Sequence, residues 1–287
     1  MKEYAFVTSP NYSYTFPFES NFVYQDAVEW MSENWTLSFY YVVIYVIFIF
    51  GGQHVMKNKP RFELRIPLSL WNTALAIFNI IGTLRTIPEF LHILTNYGLY
   101  HSICVPSFIE QDHVASFWTY LFILSKVTDL GDTVFIVLRK QPLIFLHWYH
   151  HITALVGAWY TYTEKAAYGR WLMVMNYFVH ALMYSYYALK ARGYNIPWQF
   201  AIVITSLQLI QMVIACLVTI WAQQFLIGNM ECRVTPLIIK VSFVIYFSYF
   251  VLFVRFFYNA YLSGERQRKK HHVSASSEDL LSKSKIH

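Results

Sequence analysis

Runs of apolar residues, separated by short polar connections, account for most of this chain. A helix needs about 20 mostly apolar residues to cross the hydrocarbon core of a bilayer. Seven stretches of comparable length lie at residues 38–56, 67–87, 115–138, 144–163, 171–189, 198–222 and 236–258. The pattern predicts an all-α, polytopic membrane protein with seven transmembrane helices.

The composition supports a membrane protein rather than an ordinary soluble domain. Of the 287 residues, 56% are hydrophobic, 20% are aromatic and only 13% are charged. A chain this apolar and this long can form several transmembrane spans. We expect an N-terminal segment at residues 1–37, a membrane domain at 38–258 and a basic tail at 259–287, with no nucleic-acid partner.

The basic residues lie mainly on alternate connections. One set of connections and the tail carry Lys57, Lys59, Arg61, Arg65, Arg139, Lys140, Lys190, Arg192, Arg266, Arg268, Lys269 and Lys270. The other connections are poorer: residues 88–114 contain no Lys or Arg, and 164–170 contain only Lys165 and Arg170. The positive-inside rule then places the basic side in the cytoplasm and the N-terminus in the lumen.

Two pairs of residues bear on the predicted lumenal side. Asn11 and Asn34 begin Asn-X-Ser/Thr sequons, which are candidate glycosylation sites. Cys104 and Cys232 lie in two lumenal loops, where an oxidising compartment favours a disulfide, although two free thiols are the alternative. Cys216 lies inside a predicted span.

Polar and ionisable side chains interrupt four of the apolar stretches. They are Lys126, Asp129, Asp132, Thr133, His147, His150, His151, Asn176, His180, Tyr184, Tyr187, Thr205, Gln208 and Gln211. Ionisable residues are costly in a bilayer and usually line a cavity or take part in chemistry. The spacing of His147, His150 and His151 places three imidazoles in one sector of a helix.

These polar residues also agree in depth. At ~1.5 Å per residue from the predicted cytoplasmic ends, Asp132 and His150 lie roughly 10 Å deep, and Asp129, His180 and Gln208 roughly 15 Å deep. We therefore expect one pocket that opens to the cytoplasm and continues as an apolar blind end, suited to a polar head group with a long hydrocarbon tail. The alternatives are interhelical hydrogen bonding for the amides and a structural ion-pair network for Lys126 to Asp132.

Four segments resemble, in order and spacing, the signature blocks of the very-long-chain fatty acid elongases. They are Lys126–Thr133, His147–His151, His180–Tyr187 and Thr205–Gln211. The resemblance covers almost the whole chain and is closest to the type-six and type-three branch, which elongates saturated and monounsaturated long-chain acyl-CoAs. Asp129 stands where the family usually has Glu, so its side chain is shorter by one methylene.

The resemblance implies an acyltransferase that performs the condensing step of fatty acid elongation. An acyl-CoA and malonyl-CoA give a 3-oxoacyl-CoA, carbon dioxide and free CoA, without a cofactor or a metal ion. We expect His150 to attack the thioester and to carry the acyl group as an acyl-imidazole in a ping-pong order. His180 is expected to orient the acyl group or to stabilise the oxyanion, with His147 and His151 in support.

The remaining polar residues are candidates for substrate binding. Around the acyl and malonyl groups they are Lys126, Asp129, Asp132, Asn176, Tyr184, Tyr187, Gln208 and Gln211. At the cytoplasmic mouth, Arg139 and Lys140, with Lys190 and Arg192, are candidates to attract the CoA phosphates. The alternative is that these basic residues only set the topology.

The resemblance also implies a fold and a cellular setting. Helices two to seven are expected to form a bundle or barrel around a substrate tunnel, in the membrane of the endoplasmic reticulum. Lys283 and Lys285 resemble a dilysine-type retrieval signal. The ketoreductase, dehydratase and enoyl reductase of the elongation cycle are the implied partners, and a homo-oligomer is left open.

Two other classes of protein are considered. Membrane desaturases and hydroxylases also use histidine boxes, but they bind two irons with around eight histidines, whereas the predicted core here offers four. A seven-helix receptor or transporter explains the topology and the buried polar residues, but it does not explain four histidines at one depth.

Overall fold

The computed structural model describes residues 7–263. Within this range the chain forms twelve α-helices and a final π-helical turn at Tyr258–Leu262, with no β-strand. The helices are α1 (Pro17–Ser20), α2 (Tyr24–Asn34), α3 (Leu37–Met56), α4 (Arg65–Asn96), α5 (Gly98–Cys104), α6 (Ser107–Glu110), α7 (His113–Asp129), α8 (Asp132–Leu138), α9 (Phe145–Thr163), α10 (Gly169–Arg192), α11 (Trp198–Ile227) and α12 (Pro236–Phe257). The all-α prediction is confirmed for this part of the chain.

Helices occur at each of the seven predicted stretches, namely at α3, α4, α7 with α8, α9, α10, α11 and α12. Of the described helices, α3, α4, α11 and the combined segment Pro236–Leu262 are long and apolar enough to cross a membrane. The helices α9 and α10, which carry the four histidines, are not among these four. The count of seven transmembrane helices therefore stays a prediction.

The third predicted helix is not continuous, contrary to expectation. Leu130 and Gly131 separate α7 from α8. A Cβ atom on Gly131 would lie 2.6 Å from the indole of Trp71, so the chain approaches α4 more closely there than any other residue type allows. The Trp71 Nε1 group then donates a hydrogen bond of 2.7 Å to Asp132 at the start of α8.

The connection at residues 88–114 contains more structure than the sequence pattern predicted. Helix α4 continues through Pro88 to Asn96, and α5 and α6 follow. The helix extends because its inward face still has partners: Ile93 is buried, and Glu89 forms a buried ion pair with Arg170 of α10. Most of this connection is therefore packed structure.

Six helical segments contact one another in a closed cycle. Helix α4 packs on α7, α7 on α9, α9 on α12, α12 on α11, α11 on α10, and α10 returns to α4. Helix α3 lies outside this cycle, against α8 and α9, and α2 packs on α7 and α9. Lys126, His150, Asn176 and Gln211 line a cavity between helices of this cycle.

The two ends of the bundle differ in chemistry. One, here called the disulfide end, holds the Cys104–Cys232 disulfide, α5, α6 and residues 7–23. The other, here called the basic end, holds the connection at residues 57–64 together with Arg139 and Lys190. The basic residues of the tail from Arg266 onward lie outside the described residues.

The N-terminal segment is fastened across the disulfide end through Glu19. Its fully buried carboxylate accepts hydrogen bonds from Arg85 Nη2 at 2.6 Å and from Trp118 Nε1 at 2.7 Å. Burial by itself raises the pKa of Glu19, but these hydrogen bonds and one from the Phe16 backbone together lower it. The carboxylate therefore stays ionised and ties residues 16–19 to α4 and α7.

Substitution of Gly82 by alanine tests the tight contact between α4 and α10. A Cβ atom on Gly82 would lie 2.3 Å from the ring of Tyr177, which is fully buried, so the helices must separate. We expect a loss of about 1–3 kcal/mol in the free energy of unfolding, measured as a lower thermal midpoint in detergent. Gly51→Ala in α3 is the matched control, because its Cβ meets no atom within 4 Å; an equal loss in both variants would contradict the packing argument.

Candidate active site

Three of the four predicted histidines form a compact cluster on α9. The ring centroids of His147 and His151 are 4.4 Å apart, and those of His150 and His151 are 5.6 Å apart. His147 Nε2 lies 2.9 Å from Thr133 Oγ1, which is also 2.7 Å from the Tyr45 hydroxyl. The outer side of the cluster is therefore held by α8 and α3.

Unlike the ring of His147, the ring of His150 is left free by the described residues, as is that of His151. The backbone carbonyl of His150 accepts hydrogen bonds from Thr153 and Tyr249, but its imidazole makes none to any described residue. The ring packs 5.0 Å from that of Tyr249 and lines two cavities. An imidazole nitrogen of His150 is thus available to a bound molecule.

The fourth histidine, His180 of α10, belongs to a chain of hydrogen bonds. Asp129 Oδ2 accepts from Lys126 Nζ at 2.8 Å, and the same ammonium donates to Asn176 Oδ1 at 3.2 Å. Asn176 Nδ2 lies 3.2 Å from His180 Nε2. His180 Nδ1 is buried and has no hydrogen-bond partner among the described residues.

This chain fixes the tautomer of His180. An ammonium can only donate, so it selects the oxygen of the Asn176 amide and leaves the NH2 group facing His180. His180 Nε2 must then accept, and the proton of a neutral ring lies on Nδ1. The ring therefore offers a donor, rather than a base, through its unpartnered nitrogen.

The two aspartates have different surroundings. Asp132 accepts from Trp71 Nε1 and from the Tyr184 hydroxyl, both at 2.7 Å, so it links α8 to α4 and α10. The shorter arm of Asp129 still reaches Lys126, and Asp129 is buried away from the cavities described below.

Three cavities are lined by helices of the cycle. The inner cavity, of about 120 Å³, extends from His150 to Phe108 and Gly169 at the disulfide end. The histidine cavity, of about 360 Å³, contains all four histidines. The outer cavity, of about 580 Å³, lies at the basic end, beside Arg65 and Arg139.

These cavities follow one another, because neighbours share lining residues. The inner and histidine cavities share His150, Asn176, Gln211 and Met212. The histidine and outer cavities share Asp132, His147, Tyr184, Tyr187 and Lys190. A molecule that extended through all three would pass from basic surroundings, along the histidines, into a mainly apolar space.

The predicted amides of α11 face the same region. Gln208 lines the histidine cavity, and its Nε2 lies 3.4 Å from Met183 Sδ. Gln211 is buried at the junction of the inner and histidine cavities. Thr205 contacts the Tyr261 hydroxyl at 3.2 Å, which joins α11 to the π-helical turn.

The predicted basic mouth divides into two groups. Arg139 and Lys190 line the outer cavity, and the Arg139 side chain has no hydrogen bond or ion pair to a described residue. Lys140 lies outside the three cavities, with Nζ donating to the Lys57 carbonyl, and Arg192 binds Ser69 and Thr73. Only Arg139 and Lys190 of the four are therefore placed to meet a ligand.

Sequence reasoning missed several contributors to the site. Tyr45 and Trp71 hold His147 and Asp132 through the contacts above, and Tyr249 lies beside His150. They occur among many aromatic residues in apolar helices, and nothing in their spacing distinguishes them from packing residues. Arg65 donates to the carbonyls of Ala191 and Arg192 and so closes the end of α10 beside the outer cavity.

The candidate modification sites lie near the disulfide end. Asn11 is exposed, whereas Asn34 is in the last turn of α2, where its Nδ2 donates to the Trp30 carbonyl at 2.8 Å. A disulfide joins Cys104 to Cys232, and Cys216 is a free, half-buried thiol. Among residues 7–263, no group of three or more His, Cys, Asp or Glu side chains has the geometry to hold a metal ion.

Comparison with known proteins identifies the family. The model described as "ELO: GNS1/SUR4 family" matches residues 30–270. A Drosophila melanogaster protein named very long chain fatty acid elongase 6 is 55% identical over 96% of this chain and 88% of its own length. The human protein of that name is 47% identical over 89% and 96% of the two chains, and mouse very long chain fatty acid elongase 3 is 42% identical over 83% and 88%. This multi-pass membrane protein therefore belongs to the GNS1/SUR4 family, that of the very-long-chain fatty acid elongases.

Proposed function

We propose that this protein condenses an acyl-CoA with malonyl-CoA to give a 3-oxoacyl-CoA, carbon dioxide and CoA. The observation that carries the proposal is the position of His150. Its free imidazole lies where the mainly apolar inner cavity meets the histidine cavity. An acyl chain in the inner cavity would present its thioester to this ring, while CoA extended towards the basic end.

The proposed reaction proceeds in two half-reactions. A nitrogen of neutral His150 attacks the thioester carbonyl, the C–S bond breaks, and CoA leaves as a thiolate that takes a proton from water. The acyl-imidazole that forms keeps the proton on its other ring nitrogen, so the later loss of the acyl group returns neutral His150. Malonyl-CoA then loses carbon dioxide, and the resulting enolate carbon attacks the acyl carbonyl. The C–N bond to His150 breaks, and the 3-oxoacyl-CoA leaves. Both carbonyl additions pass through an oxyanion.

The chain from Lys126 to His180 supplies a hydrogen-bond donor for these oxyanions. His180 carries its proton on Nδ1 and lines the same cavity as His150. A donor fixed before the reaction stabilises an oxyanion without the cost of reorganising water. We assign oxyanion stabilisation to His180, and Asn176 is a positioning residue that holds its tautomer.

The Asn176→Asp variant tests that role. Its carboxylate can still accept from Lys126, but it can only accept from His180, so the imidazole proton must move from Nδ1 to Nε2. We expect kcat for condensation to fall by about 10²–10³-fold, with KM for acyl-CoA little changed. Steady-state kinetics with the exposed Asn229→Asp variant as control provide the measurement. A raised KM at unchanged kcat would instead make Asn176 a simple binding residue.

The setting of the enzyme is part of the proposal. Arg139 and Lys190 would meet the phosphates of CoA at the basic end, which would face the cytoplasm. The disulfide end would then face the lumen of the endoplasmic reticulum. That compartment is oxidising enough to keep a disulfide, and an exposed Asn11 could be glycosylated there. The ketoreductase, dehydratase and enoyl reductase of the elongation cycle would then convert the 3-oxoacyl-CoA product.

A condensation assay tests the proposed function directly. Membranes that contain the full-length protein are incubated with labelled malonyl-CoA and a panel of saturated and monounsaturated acyl-CoAs. We expect label in 3-oxoacyl-CoA and, when malonyl-CoA is omitted, an acyl group on His150 detected by mass spectrometry. If no acyl-CoA led to labelled product, the receptor or transporter interpretation would be favoured instead. If labelled product formed without a covalent adduct on His150, the reaction would be direct rather than ping-pong.

A further inference from the structure

The far end of the inner cavity is formed by residues outside the seven predicted spans. Phe108 and Ile109 of α6 line it, together with Ala166 in the turn before α10 and Gly169 at the start of that helix. Phe108 and Ile109 are only 1% and 2% exposed. The ring of Phe108 lies 3.8 Å from the position of a Cβ atom on Gly169, so it packs directly on this glycine.

The segment that carries Phe108, residues 104–110, is here called the plug. Arg170 lies 4.9 Å from the centre of the Phe108 ring and donates to Ser107 Oγ at 2.6 Å. The same guanidinium donates to the Ser102 carbonyl at 2.9 Å, just before the plug. Arg170 therefore holds the plug and the residues that precede it against α10.

Two further connections fix the plug, one to the loop between α11 and α12 and one to the turn between α9 and α10. Cys104 is joined to Cys232, and its carbonyl accepts a hydrogen bond of 2.9 Å from the Arg233 backbone. At the other end of the plug, Glu110 forms an ion pair with Lys165. The plug is thus held at both ends by groups that do not touch the cavity.

The plug lies opposite the candidate nucleophile along the cavity. The residues of α9 that line the inner cavity extend from His150 to Tyr162, a rise of about 18 Å at about 1.5 Å per residue. A long acyl chain carried by His150 and extended along α9 would therefore end at Phe108. The plug is thus a wall that such a chain would meet.

We propose that Phe108, held in place by Arg170 and by the Cys104–Cys232 disulfide, sets the longest acyl chain that the enzyme condenses. This inference rests on the proposed function. Carbons beyond the plug would have to displace a buried ring that is held by a guanidinium and a covalent cross-link. One methylene group in a closed apolar pocket changes kcat/KM by about 10-fold or more, so a small change in the wall is measurable.

The test compares the chain-length profile of condensation in matched variants of the full-length protein. Phe108→Ala is expected to raise kcat/KM for acyl-CoAs just longer than the native limit by about 10-fold relative to that for shorter ones. Phe225→Ala is the control, because Phe225 lies at the disulfide end against Tyr100 and lines none of the three cavities. Phe108→Leu supplies a smaller change in the same direction if the alanine variant does not fold.

A variant on the cavity wall separates the inference from the proposed function. Gly157 lines the inner cavity, and a Cβ atom there meets no atom within 4 Å, so Gly157→Leu is expected to shorten the longest accepted chain. A shift with Gly157→Leu but none with folded Phe108 variants overturns the role of the plug and leaves the condensing function intact. No condensation by the native protein overturns both.

The disulfide gives an independent arm of the same test. The paired variant Cys104→Ser with Cys232→Ser removes the cross-link but leaves the cavity lining unchanged. We expect its profile to extend to longer chains, in the direction of Phe108→Ala. A folded paired variant with the native profile would show that the disulfide does not position the plug.

Discussion

Replacement of His150 by alanine is expected to reduce condensation by roughly 10³-fold or more, the scale of losing a covalent nucleophile. His151 and His147 cannot simply take over, because neither lines the inner cavity and His147 is engaged with Thr133. The measurement is incorporation of labelled malonyl-CoA at saturating acyl-CoA. Release of CoA from acyl-CoA alone, which reports the first half-reaction, should be lost in parallel.

A matched substitution separates chemistry from folding in that experiment. His54 is exposed near the end of α3 and lines none of the three cavities, so His54→Ala should retain the native rate. The thermal midpoint of both variants should stay near that of the native protein. If His150→Ala still released CoA from acyl-CoA, the acyl group would be carried elsewhere, and His180 would be the first residue to test.

Helical spacing was sufficient to predict the histidine cluster, but not its partners. Residues at i, i+3 and i+4 share a face in any α-helix, so the contact between His147 and His151 follows from the sequence alone. The contact between Lys126 and Asn176 also depends on how α7 and α10 are rotated against each other. That rotation is fixed by packing over the whole helix and cannot be read from either segment.

The break between α7 and α8 could not be predicted for a related reason. A glycine within an apolar stretch is compatible with an uninterrupted helix. Here the cause is Trp71, which is distant in sequence and needs the space that Gly131 leaves. The break lets Asp132 accept hydrogen bonds from α4 and α10, so its carboxylate connects these two helices to α8.

Charge counting gave a topology but overestimated the basic mouth. Lys140 and Arg192 were grouped with Arg139 and Lys190 because all four follow the ends of apolar stretches. Lys140 and Arg192 bind neighbouring carbonyl and hydroxyl groups, whereas Arg139 and Lys190 line the outer cavity. A charge beside a span has the same sequence signature whichever of these roles it has.

The disulfide end shows the largest gap between sequence and structure, and Arg170 is its clearest case. Counted as a loop charge, Arg170 is in fact 0% exposed and pairs with Glu89 at 3.0 Å. We expect Arg170→Leu to lower the free energy of unfolding by about 3–5 kcal/mol, because it leaves Glu89 and the carbonyl of Ser102 buried without their donor. In detergent this corresponds to a fall in the thermal midpoint on the order of 10 °C.

The exposed pair of Arg61 and Glu63 provides the matched comparison for this prediction. Its side chains are 71% and 81% exposed, so Arg61→Leu should cost at most about 1 kcal/mol. Adding Glu89→Gln to Arg170→Leu should restore part of the lost stability, since the uncompensated charge is then removed. If Arg170→Leu were as stable as Arg61→Leu, the buried pair would contribute little, and the disulfide would be the main support of the plug.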